Sequence, residues 1–73
     1  CDQISLADLS YEKTEQGAIT ILHFQPEESY AFGYLQINGT FFDLEMGDGE
    51  ITCTISSENA AAEDLEQGKL FLF

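Results

Sequence analysis

The chain has 73 residues, enough for one domain, residues 1–73, and close to the lower limit at which a single core sustains itself. Its 44% hydrophobic content suits a folded domain rather than a disordered tail, and no apolar run approaches the roughly 20 residues of a membrane span. Fourteen acids against two lysines, Lys13 and Lys69, give a net charge of -12, which argues against direct nucleic-acid or anionic-membrane binding.

The chain opens on Cys1 rather than Met. Cys1 followed by Asp2 resembles a bacterial lipoprotein after signal-peptide removal, and that resemblance implies a lipid anchor on Cys1. A trimmed fragment is the equal alternative. Cys1 and Cys53 could form one disulfide, but Cys53 alternates with Ile51 and Ile55 as a free core thiol would.

"SLADLS" (5–10) reads as a strand. Ser5 and Asp8 also offer a helical capping box. "SYEKTEQGAITILHF" (10–24) reads as a hairpin with its loop at Thr14–Gly17, pairing Tyr11 with Thr20, Leu9 with Leu22 and Ala7 with Phe24. "QPEES" (25–29) is a turn around Pro26.

Residues 29–56 carry two hairpin signals, Asn38-Gly39 and Asp48-Gly49. The first turn sets Ile37 opposite Thr40, Leu35 opposite Phe42, Gly33 opposite Leu44 and Ala31 opposite Met46. The second sets Met46 opposite Ile51, Leu44 opposite Cys53 and Phe42 opposite Ile55. Both registers place one apolar set on one face, so a three-stranded meander is predicted. The other face carries Tyr30, Phe32, Tyr34, Gln36 and Phe41, then Asp43, Glu45, Glu50, Thr52 and Thr54.

"SENAAAEDLEQG" (57–68) predicts a helix over about 57–67. Ser57 is its N-cap, three alanines favour it and Gly68 is its C′ residue. "KLFLF" (69–73) is apolar on both faces, as a doubly buried strand would be. A right-handed β–α–β unit would set it parallel to strand 50–56, with its phenylalanines packed on Tyr30, Phe32 and Tyr34 beneath the helix. The predicted fold class is therefore α+β: a small, mostly antiparallel sheet, one short helix and a C-terminal strand.

Catalytic constellations are weak. A Cys53–His23 dyad would need a shared face, and His23 reads better as structural. Asp43 and Glu45 form a carboxylate pair without the length of chain that a sugar cleft needs. Asp43, Glu45, Asp48 and Glu50 crowd one hairpin tip, but their spacing matches no calcium loop, and a solvated acidic edge is the preferred reading. No cofactor and no metal are expected. "NGT" (38–40) is a glycosylation sequon that the turn already explains. "QGKLF" (67–71) resembles the pentapeptide with which bacterial proteins dock on the sliding clamp, and the resemblance implies Gln67, Leu70 and Phe71 as docking residues. The same residues read as a helix stop and a core strand, which is preferred.

The expected function is non-enzymatic: an acidic protein-binding domain that meets a basic partner. Its sharpest version is an inhibitor or immunity-type protein that mimics nucleic-acid charge in the basic groove of a nuclease or similar enzyme. The partner-binding residues are expected to be Asp43, Glu45, Asp48 and Glu50 with Tyr34 and Phe41, and the second candidate surface is Glu58, Glu63, Asp64 and Glu66. An inhibitor of this kind would be cytoplasmic. The alternative is a small exported lipoprotein domain held to the membrane through Cys1, its acidity serving solubility or adaptation to high salt. The C-terminal strand could also pair with a second copy.

Overall fold

The computed structural model describes residues 2–73, with only the backbone of Ala60 and Ala61. Eight strands run along it: β1 (Asp2–Ser5), β2 (Glu12–Gln16), β3 (Ile19–Phe24), β4 (Gly33–Ile37), β5 (Thr40–Asp43), β6 (Glu45–Met46), β7 (Ile51–Ser56) and β8 (Lys69–Leu72). They form two antiparallel four-stranded sheets, sheet I in the order β1-β8-β4-β5 and sheet II in the order β2-β3-β7-β6. The chain crosses from sheet I to sheet II at Leu44, between β5 and β6.

Alternation builds the core. Leu22 and Phe24 of β3 and Ile51, Cys53 and Ile55 of β7 point inward from sheet II. Leu35 and Ile37 of β4 and Leu70 and Leu72 of β8 meet them from sheet I. Each residue is at most 2% exposed, so all contribute close to their full burial free energy, about 1.5–3 kcal/mol for a large aliphatic or Phe.

The first tight turn is as the sequence implies. Asn38 (φ 48°) and Gly39 (φ 85°) both take the left-handed conformation that a type I′ turn requires. Ile37 faces Thr40 and Leu35 faces Phe42. Met46 faces Ile51 across the second turn, where Gly49 alone has positive φ among residues 47–50 and the Gly47 amide donates to the Glu50 carbonyl at 2.8 Å.

Four expectations are corrected. First, the meander is not one sheet. The strand bends at Leu44, so β5 pairs in sheet I and only Glu45–Met46 pair with β7 in sheet II, and the expected Leu44–Cys53 and Phe42–Ile55 pairs do not form. Second, the loop of the early hairpin is Gly17-Ala18. Gln16 pairs with Ile19 and Glu12 with His23, so Leu9 and Ala7 lie outside the ladder. Third, residues 5–10 are not a strand throughout. A 3-10 turn occupies Leu6–Asp8, and Ser5 makes no side-chain cap bond.

Fourth, the fold is nearly all β rather than α+β with a helix. Residues 57–67 hold only two 3-10 turns, Ala60–Glu63 and Leu65–Gln67, and the described residues contain no longer helix. An isolated short helix is marginal without a wide apolar face. This one would also set Glu63, Asp64 and Glu66 at its negative C-terminal end, with no cation within its last turn to offset them. The chain instead breaks at Asp64, which buries Leu65. Gly68 is extended (φ -73°, ψ 149°), not a left-handed cap, and its amide donates to the Leu65 carbonyl at 2.9 Å. A Cβ there would meet Leu6 Cδ1 at 2.8 Å. Without the helix there is no parallel crossover: β8 lies antiparallel between β1 and β4.

Candidate functional site

β8 carries two faces of different character. Leu70 and Leu72 enter the core, and Phe71 projects to the outer side of sheet I. Phe71 pairs with Tyr34, Tyr34 with Asp43 and Gln36 with Phe41, and cross-strand partners share a face. Beyond β8 the Phe73 amide donates to the Phe32 carbonyl at 2.9 Å and the Ala31 amide to the Phe73 carbonyl at 2.8 Å. These bonds extend the ladder and set Phe32 beside Phe73.

The result is one contiguous cluster of Phe32, Tyr34, Phe41, Phe71 and Phe73. Tyr34 stacks on Phe71 and Phe32 on Phe73, both with ring centroids 4.8 Å apart. Phe41 meets Tyr34 edge-on at 5.4 Å, and Phe73 joins the two pairs through Tyr34 at 6.1 Å. Stacking steadies the rings without hiding them: Phe32 is 57% exposed, Phe41 61% and Phe73 39%. The expected packing of the C-terminal phenylalanines on Phe32 and Tyr34 forms, but it leaves the aromatic end uncovered. The terminal phenylalanines enlarge the exposed face instead of burying it.

Of the predicted partner-binding residues, Tyr34, Phe41 and Asp43 share this face. Glu45 lies two residues past Asp43 on β6, opposite Thr52 of sheet II. Glu50 reaches toward His23, with Oε1 3.6 Å from Nδ1, and Asp48 occupies the turn between them. The six residues thus divide between the outer side of sheet I and the far sheet. On the second candidate surface, Asp64 accepts a 3.0 Å bond from Asn38 Nδ2, tying the 3-10 segment to the β4–β5 turn. Glu63 and Glu66 border a shallow depression with Tyr11 and Lys13, while the Glu58 amide donates to Ser56 Oγ at 3.4 Å.

Sequence reasoning missed Phe71 and Phe73 as surface residues. The signal was present in the Leu/Phe alternation of residues 69–73, which separates two faces of one strand. It also set Tyr30 on this face. Tyr30 instead packs beside the core and donates to Asp2 Oδ2 at 2.6 Å, with Glu28 Oε2 at 3.1 Å.

The remaining reactive groups are held in structure. Cys53 is a free, buried thiol, pushed up to about 12 by burial and then by the nearby Asp43 carboxylate, so it is a poor nucleophile. His23 Nε2 lies 3.1 Å from Thr14 Oγ1. His23 and Cys53 are on opposite sides of sheet II, which separates the weighed dyad. Among the described residues no three His, Cys, Asp or Glu side chains converge as a metal site would require, and no helix is long and apolar enough to cross a membrane. Leu70 is buried in β8, so the segment resembling a clamp-docking peptide is a core strand here. Cys1, and with it the anchor reading, lies outside the described residues.

Comparison of the chain with protein-family models, curated proteins and solved structures returns no match.

Proposed function

We propose that this protein is a binding module for a basic protein, with the aromatic outer side of sheet I as the contact centre and the surrounding carboxylates as its rim. The observation that carries the reading is the ring cluster in which Phe32, Phe41 and Phe73 stand exposed around half-buried Tyr34 and Phe71. Exposing large rings to water is unfavourable, and contiguous exposed apolar patches mark interaction sites. Interfaces concentrate their energy in central aromatics, while charges at the rim steer encounter. Asp43 beside Tyr34, Glu45 beyond it and the net charge of -12 favour a cationic partner.

The sharpest version remains an inhibitor or immunity-type protein that enters the basic groove of a nucleic-acid-handling enzyme. In this version the acids take the place of phosphates and the rings the place of stacked bases.

Affinity capture from the source lysate at low salt tests the reading. Wild type is compared with a Phe32→Ser/Phe41→Ser variant and with an Asp43→Asn/Glu45→Gln variant. One basic protein should be retained by wild type, lost by the ring variant and released at lower salt by the acid variant. Retention unchanged by loss of the rings would refute the contact centre. Displacement of the captured protein by an oligonucleotide would support the nucleic-acid-mimic version.

A further inference from the structure

A second feature lies away from the ring cluster. A cleft of about 620 Å³ opens between the two sheets, where the end of β3 and the following loop approach β1 and β8. That volume falls within the roughly 300–1,000 Å³ of small-molecule sites. Phe24, Ile51, Leu70 and Leu72 form its floor, and Ile4 and Leu9 stand half-buried along its walls.

The mouth differs from the floor. Glu27, Glu28 and Tyr30 line it, while neither Lys13 nor Lys69 does. Tyr30 holds the loop to β1 through Asp2 Oδ2 at 2.6 Å and reaches Glu28 Oε2 at 3.1 Å. A phenol has one proton to donate, so two carboxylates compete for it. The bond to Asp2, then partial burial, then Glu28 hold that phenol protonated well above the ordinary tyrosine range. Glu27 and Glu28 are both exposed at this mouth and no lysine lines it, so the rim beside the apolar floor is negative.

We propose that this cleft binds an amphipathic cation, a small molecule with a short apolar body and an amine head. The apolar part fills the space over Phe24, Ile51 and Leu72. The ammonium lies at the mouth, donating to Glu28 and Glu27. A carboxylate or phosphate head would meet repulsion at the same rim. This site is separate from the ring cluster and stands whether or not that cluster binds a protein.

The test is an NMR titration of isotope-labelled protein with hexylammonium, hexanol and hexanoate at about 0.1 M salt, where long-range surface attraction is screened. Hexylammonium should give saturable methyl shifts at Ile4, Leu9, Leu70 and Leu72, hexanol weaker ones and hexanoate none. Glu28→Gln should weaken hexylammonium roughly two- to five-fold, as a partly exposed ion pair does, without changing hexanol. Glu58→Gln makes the same charge change elsewhere and should leave both unaltered. Leu9→Trp should fill the cleft and abolish both, and where that variant fails to fold the two glutamine variants decide. Absence of saturable shifts at the cleft, equal binding of hexanoate, or equal weakening by Glu28→Gln and Glu58→Gln would overturn the proposal.

Discussion

Gly33 of β4 pairs with Leu72 of β8, in the row beside the ring cluster. A Cβ there would collide with the Phe71 carbonyl and stand 3.0 Å from side-chain atoms of Leu44 and Leu72. Backbone cannot yield as a flexible side chain can. Gly33→Ala should therefore cost about 1–3 kcal/mol by urea unfolding, the usual range for overpacking. Phe41→Ser removes a largely exposed ring and its edge contact with Tyr34 and should cost about 0.5–1.5 kcal/mol in the same measurement, so the variant stays folded and its binding can be read separately. Cys53 gives a pH signature. Burial, then the Asp43 carboxylate, pushes its thiol up to about 12 in the fold from an ordinary value of 9.0, so the unfolded chain releases this proton first as pH rises. The contribution to stability is fully present below about pH 9 and is lost progressively toward pH 12. Cys53→Ala should flatten the corresponding part of the stability–pH curve. An unchanged curve would mean that the thiol ionises alike in both states.

At the scale of elements, the Asn38-Gly39 hairpin is held by two consecutive left-handed residues, one of them not glycine. Gly39→Val should destabilise the protein by about 1 kcal/mol or more in thermal unfolding, because a β-branched residue resists positive φ. This turn was legible in the sequence for the same reason: few residue pairs tolerate that backbone, so Asn-Gly has one reading. The alternation of Leu35, Ile37, Ile51, Cys53 and Ile55 was equally plain, because burial on one face repeats every second residue. The early hairpin was misplaced because β2, Glu12–Gln16, is polar on both faces and carries no alternation to fix its register. The segment 57–68 misled through its alanines, whose helical preference is worth only tenths of a kcal/mol each. Burial of Leu65 and the Leu6 amide bond to the Gly68 carbonyl, at 2.9 Å, outweigh it. The candidate site was half legible. Tyr34, Phe41 and Asp43 followed from the correct turn, whereas Phe71 and Phe73 required knowing that β8 is central to sheet I.

For the whole molecule, the charge of -12 acts against compaction, and the described ion pairs do little to offset it. Lys13 and Glu15, 3.6 Å apart, are both well exposed. Added salt should raise the melting temperature up to about 0.15–0.5 M, where the screening length falls below about 8 Å, and little beyond. A rise that continues into molar salt would favour adaptation to a saline environment over the binding account. The central claim is that the outer side of sheet I is a contact surface, and site-specific photo-crosslinking in the protein's own cells tests it most directly. A benzophenone amino acid is placed at Phe41 in the ring cluster and, in a second variant, at exposed Thr54 on the outer side of sheet II. The account predicts a single basic protein crosslinked from position 41 and not from 54. Equal crosslinking from both positions, or capture from 54 alone, would contradict it.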